Sequence, residues 1–310
     1  DDGGDLVETA FLVQGMLTAK KYFDGADATE TEIRTRIDRM WEDVEWDWYL
    51  NGTNSLYWHW SPNYGWAMNM PIVGFNEAMI AYILAIASPT HPIPASNYYD
   101  GWAAGGYVNG KEFYGNRLWV GSDYGGPLFF THYSFLGFDP RNKRDNYCNY
   151  FENNRNIALV HQAYSIDNPL GYVGYGANCW GLTASTNPWG YLAHSPTNDN
   201  GTITPTAAVS SIPYTPAESM LAMEHFYNDL GTELWGTYVF MDAFNLTEDP
   251  DWYSDTCLAI DEGTTDPTIE NYRTGPYGDL FIIHPKNKPA FEASGQATGS
   301  LAGLDVKYHE

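Results

Sequence analysis

The chain is poor in cations. Its 310 residues hold 15 Lys and Arg against 39 Asp and Glu, a formal charge of −24. Such a surface repels nucleic acid and anionic lipid, which are recognised through basic residues. It also argues against acidic polysaccharides, whose subsites need cations, and leaves neutral sugars compatible. Cysteine is scarce too. Cys148, Cys179 and Cys257 have no metal-like spacing and permit at most one disulfide, so they do not define a redox compartment. No apolar run is long enough to span a bilayer. The sequence carries no G-x-S-x-G elbow, no H-E-x-x-H and no D-x-D-x-D-G loop. GYVGYGANCW is glycine-rich but lacks the Lys of a phosphate loop and a preceding strand. No metal or cofactor is therefore expected.

Charge is also missing locally. Between Asp47 and Asp100 the sole Asp, Glu, Lys or Arg is Glu77, set in the apolar run PIVGFNEAMIAYILAIAS. A carboxylate in such a place is costly, and burial raises its pKa unless a partner compensates. A carboxyl kept protonated near neutral pH can donate a proton in a reaction. A structural Glu, bonded to backbone amides or an Arg, fits the same isolation.

What is abundant is aromatic: 12 Trp and 24 Tyr. Most are expected in a large core, with some left as stacking platforms. YWHWSPNYGW places Tyr57, Trp58, His59, Trp60 and Trp66 in a loop just before the Glu77 segment, where rings beside a lone carboxylate suit sugar stacking. Trp180, His194 and Asn76 are further candidate sugar contacts.

The pattern is helical, with long polar loops and sparse strand signals. Helices are expected over 5–23, over 29–45 with Ile33, Ile37, Met40, Trp41 and Val44 on one side, over 70–87, and over 145–166. A further helix is expected from Pro216, with Thr215 as cap, Glu218 completing a capping box and Gly231 as stop. A short one is expected over 267–274. A hairpin fits GTELWGTYVFMDAFN. Buried and amphipathic helices alternating without strands favour an α/α toroid.

Acids cluster at the start. DDGGDLVE puts Asp1, Asp5 and Glu8 at i, i+4 and i+7, one face if helical. Helix-dipole acid enrichment explains the same pattern. Two later loops hold isolated acids: Asp199 in SPTNDNGTITP, and Asp261, Glu262, Asp266 and Glu270 in CLAIDEGTTDPTIENYRTG, where Arg273 can neutralise Glu270.

Several long motifs together are familiar. DDGGDLVETAFLVQGML, RMWEDVEWDWYL, LYWHWSPNYGWAMNMPIVGFNEAMI, GPLFFTHYSFLGFDPR, NCWGLTAS, SPTNDNGTITPTAAVSSIPYTPAESM and IENYRTG resemble the bacterial "putative glucoamylase" domain, the group containing glycoside hydrolase family 144, over residues 1–285. The resemblance implies an all-α (α/α)6 barrel. It implies a secreted or periplasmic bacterial enzyme that cleaves linear β-1,2-glucan with inversion, endo-acting or releasing sophorose. The family's catalytic acids map onto Asp1, Asp5, Glu8 and Glu77. The family domain has N-terminal helices that this chain lacks, so the barrel is expected to be incomplete, and the abrupt acidic start suggests residues removed upstream.

The expectation is thus one catalytic domain over 1–310, a monomer acting on a neutral β-glucan, with no nucleic-acid partner and no membrane insertion. Glu77 is the expected general acid. Asp1, Asp5, Glu8 or Asp261 would activate water. Trp58, His59, Trp60, Trp66, Asn76, Trp180, His194, Asp199 and Glu270 are the expected substrate contacts. A glycan-binding protein without catalysis and an α/α-toroid polysaccharide lyase are the alternatives.

Overall fold

A computed structural model describes residues 2–141 and 143–275. Asp1, a candidate acid, lies outside the described residues. The chain divides into two compact units. Of the described residues, one unit comprises 2–108 and 137–150, and the other 109–136 and 151–275.

In the first unit, strand β1 (Gly4–Asp5) leads into helix α1 (Leu6–Tyr22), followed by α2 (Ala28–Glu42), strand β2 (His59–Trp60) and α3 (Met79–Ala87). α1 buries Leu6, Val7, Ala10, Val13 and Leu17 on one face, the 3.6-residue period anticipated from sequence. It packs against both α2 and α3. α2 buries only Ile37 and Trp41; its charged side faces solvent. α3 is apolar throughout and almost wholly buried.

The helix expected over 70–87 is shorter than predicted, beginning at Met79. Pro71 and the positive φ of Asn69 (46°) and Gly74 (92°) keep the preceding segment in turns. Glu77 therefore sits in a turn, two residues ahead of the helix.

The second unit opens with strands β3 (Glu112–Phe113) and β4 (Asn116–Arg117), then α4 (Tyr150–Asp167), whose body from Phe151 belongs here. Strands β5 (Ala184–Asn187) and β6 (Gly190–Ala193) form a hairpin. α5 (Pro205–Val209), α6 (Pro216–Asn228) and α7 (Gly231–Leu234) follow. β7 (Phe244–Asn245) and β8 (Trp252–Tyr253) pair, and α8 (Ala259–Glu262) and α9 (Thr265–Arg273) end the described chain. All four ladders among the described residues are two-stranded and antiparallel. α5 packs on α6 and α9.

Two predicted caps differ. The Thr215 hydroxyl bonds the Ser211 carbonyl and the Ser219 hydroxyl, so it does not cap α6. Gly231 starts α7 rather than ending a chain of helix. In the hairpin segment, Trp235 bridges Phe240, while Phe244–Asn245 pairs with β8. Among the described residues no helix is long and apolar enough to cross a membrane.

Candidate active site

The first unit gathers three of the predicted acids. Asp5 is not helical, so the expected helix face does not form. It is the N-cap of α1, with extended dihedrals (φ −95°, ψ 115°). Its Oδ1 accepts the amides of Val7 and Glu8, each at 3.0 Å, satisfying two donors the helix leaves open. Its Oδ2 accepts the Trp58 indole N–H at 2.9 Å. β1 runs antiparallel to β2, with Gly4 opposite Trp60 and Asp5 opposite His59. This close approach requires glycine: a Cβ on Gly3 would lie 2.1 Å from the Trp60 carbonyl oxygen, and one on Gly4 would lie 2.2 Å from the Tyr49 hydroxyl. Asp2, which the sequence did not single out, accepts the Ser61 hydroxyl at 2.8 Å and bonds the Asn63 amide.

Glu77 is 9% exposed. Burial pushes its pKa from 4.5 to about 7, and the nearby Glu8 charge adds to the rise. Glu8 itself is raised, by desolvation and then by the Asp5 charge. These like charges place Asp5, Glu8 and Glu77 in one electrostatic neighbourhood, in which Glu8 and Glu77 hold their protons more tightly than in water.

The turn carrying Glu77 is fixed from both sides. Asn76 Oδ1 accepts the Ala78 amide at 2.9 Å, so Asn76 shapes the turn. From α3, the buried Tyr82 hydroxyl donates to the Ile72 carbonyl at 2.9 Å and accepts the Leu56 amide at 2.8 Å. That one hydroxyl ties both ends of the aromatic loop to α3. The loop's rings pack on one another. Trp66 contacts Tyr49, Tyr57 and Trp48, and Trp48 meets Trp60 edge-on. Trp58, His59, Trp60 and Trp66 are all partly exposed. Trp48 was missed from sequence, although it stands in the EWDWYL run next to a signalled loop.

In the second unit Asp261 is buried and accepts the hydroxyls of Tyr133 (3.2 Å) and Tyr191 (3.1 Å). Desolvation and the adjacent Asp242 raise its pKa. Asp242 accepts the Thr186 amide at 2.7 Å and hydroxyl at 2.6 Å. Glu262 is buried with neither oxygen hydrogen-bonded among the described residues, and its pKa rises to about 9, from desolvation and then the Asp242 and Asp261 charges. Asp242 was unmarked in the sequence; it lies beside Asp261, and the β5–β6 hairpin bonds both, through Thr186 and Tyr191.

The remaining candidates in this unit are placed differently from expectation. Trp180 is fully buried, so its ring offers no solvent-facing surface. His194 is also fully buried and is held neutral, its pKa lowered by burial to about 4. Asp199 accepts the hydroxyls of Tyr164 (3.0 Å) and Tyr175 (2.7 Å) and the Gly201 amide (3.0 Å), anchoring its own loop. Glu270 is bonded within its own helix end, to Arg273 at 3.2 Å and the Thr274 hydroxyl at 2.6 Å. Among the described residues no group of three or more His, Cys, Asp or Glu is arranged to hold a metal ion.

Solved structures share this helix-rich fold. An endo-β-1,2-glucanase from Chitinophaga pinensis, crystallised with sophorotriose and glucose, superposes with TM-score 0.92 at 48% identity, covering 96% of this chain and 72% of that one. A β-1,2-glucanase from Parabacteroides distasonis superposes with TM-score 0.92 at 46% identity, covering 95% of this chain and 45% of that one. The chain is also 47% identical over 307 residues to an exo β-1,2-glucooligosaccharide sophorohydrolase (non-reducing end) of Parabacteroides distasonis. It spans 92% of its own length but 42% of that relative. The family described as "Putative glucoamylase" matches residues 69–285, and the chain belongs to it.

Proposed function

We propose that the chain is the catalytic part of a glycoside hydrolase that cleaves β-1,2-linked glucan with inversion. Glu77 is the general acid and delivers its proton to the glycosidic oxygen, directly or through a substrate hydroxyl. Asp5 or Glu8, as carboxylate, takes the proton of a water that attacks the anomeric carbon from the opposite face. The observation that carries this reading is the buried Glu77 carboxyl, its pKa raised to about 7 beside Glu8. An acid poised there is about half protonated at neutral pH and transfers its proton readily. The linkage is supported by the named substrates of the relatives. The net charge of −24 accords with a neutral polysaccharide. In finer detail we read the fold as an (α/α)6 toroid forming one catalytic domain, monomeric and secreted or periplasmic.

The test is reducing-end release from linear β-1,2-glucan by the wild type, Glu77→Gln and Glu8→Gln, with the product anomer followed by NMR. Turnover with initial α-anomer, and loss of about 10²–10⁴-fold in Glu77→Gln, is expected. Wild-type binding without turnover would establish the glycan-binding alternative. Near wild-type turnover in Glu77→Gln would remove Glu77 from the mechanism.

A further inference from the structure

Trp48 is 52% exposed, although indole is among the most costly side chains to leave in water. Its presentation is built rather than incidental. On the same 3-10 turn, Trp46 is fully buried and anchors the backbone. The Trp48 amide donates to the Glu45 carbonyl (3.1 Å) and Asp47 Oδ1 (3.0 Å). The turn closes through Asn51, whose amide donates to the Trp48 carbonyl at 3.1 Å. Next door, Tyr49 donates its hydroxyl to Gly4 of β1 at 3.0 Å, which ties the turn to the strand bearing Asp5.

Around Trp48 the surface continues as aromatic. The Trp48 and Trp66 planes are inclined by only 34°, with centroids 6.2 Å apart. Trp60, one residue along β2 from the partner of Asp5, buttresses Trp48 edge-on at 6.1 Å. Tyr64 is 73% exposed in the same loop. A contiguous exposed aromatic surface of this kind marks a recognition site. Its polar border is acidic and amide-bearing, with Asp2, Asp47 and Asn63, which suits hydroxyl donors and disfavours anionic ligands.

We propose that Trp48, with Trp66 and Tyr64, forms a stacking subsite for glucosyl rings of a neutral glucan chain beyond those at the point of cleavage, so that this platform sets the preference for longer chains. The inference rests on the reading of the chain as a β-glucan hydrolase. An apolar pyranose face of C–H bonds lies flat on an indole, and continuity of the platform with β1 and β2 carries the chain toward Asp5.

The experiment compares Trp48→Ala, Trp48→Gln and Trp48→Tyr with wild type on polymeric β-1,2-glucan and on a β-1,2-linked trisaccharide. Folding is checked by circular dichroism. In parallel, Glu77→Gln with and without Trp48→Ala is titrated calorimetrically with the polymer. The expected result is a rise of about tenfold in KM for the polymer with kcat unchanged, trisaccharide kinetics within about twofold of wild type, and rescue by Tyr. Equal effects on both substrates, or none, with wild-type hydrolysis intact would overturn this inference and leave the hydrolase reading standing. No wild-type hydrolysis, but polymer binding weakened by Trp48→Ala, would sustain the platform and overturn the hydrolase reading. Absence of both hydrolysis and binding would overturn both.

Discussion

Glu77→Gln is expected to become progressively stabilising as pH rises, independently of its effect on turnover. In the folded chain burial raises the Glu77 pKa from 4.5 to about 7. Unfolded, the side chain titrates near its ordinary value. Between these two pH values the folded state holds a proton that the unfolded state has released. Stability then falls as pH rises, because unfolding releases a proton. The contribution is fully present below pH 4.5 and lost on passing through pH 7. A shift of this size corresponds to about 3 kcal/mol. Gln is always neutral and of similar shape, so it escapes that loss. Urea denaturation of wild type and Glu77→Gln at matched pH isolates the effect, since titrating groups not coupled to Glu77 cancel in the difference. The stability gap, mutant minus wild type, should widen by about 3 kcal/mol between pH 4 and pH 8, with equal m-values. A gap that stays constant across that range would refute the raised pKa, and with it the claim that Glu77 is held protonated near neutrality.

Three further outcomes follow from the same site. The kcat/KM profile on β-1,2-glucan should lose activity on an alkaline limb near pH 7 as Glu77 gives up its proton; a profile flat from pH 5 to 9 would contradict an acid role. Asp5→Ala should cost about 1 kcal/mol through loss of the α1 cap, whereas Asp5→Asn keeps the capping oxygen but sets an amide N–H against the Trp58 indole N–H, so it should lose less stability than Asp5→Ala while losing turnover. Equal stability loss in both would show that Asp5 is held by charge and not by cap geometry. Tyr82→Phe should cost about 1–3 kcal/mol, because the Leu56 amide and Ile72 carbonyl lose their shared hydroxyl in a buried setting, as equilibrium denaturation will report.

Helical periodicity made α1, α2, α4 and α6 legible, because each buries one face and the apolar spacing records it. Where burial surrounds a segment, spacing carries no phase. The run over 70–87 read as one helix, yet its first part is turns, set by backbone positions such as Gly74 that hydrophobicity does not encode. The isolation of Glu77 was legible because lone charge in an apolar run requires a physical account, and its raised pKa follows from that burial. Aromatic roles were less legible. Trp180 and Trp48 are the same residue type, but one is sealed in the core and the other half open, a distinction made by tertiary packing. The β5–β6 hairpin escaped notice because each strand is four residues long and turns through Asn187, Pro188, Trp189 and Gly190, too short for alternation to register. With it went Asp242, which is far from Asp261 in sequence and meets it only in the folded chain.

The bond from the Trp58 indole to Asp5 gives the site a reporter of its own. An indole N–H held at 2.9 Å by a carboxylate resonates at a frequency set by the acceptor's charge. In a proton–nitrogen spectrum of the labelled protein, the Trp58 side-chain signal would report on the Asp5 carboxylate without any added dye or substrate. The other indoles serve as internal references in the same spectrum. Whichever sugar is then added, displacement of that one signal would register its arrival at the acidic strand.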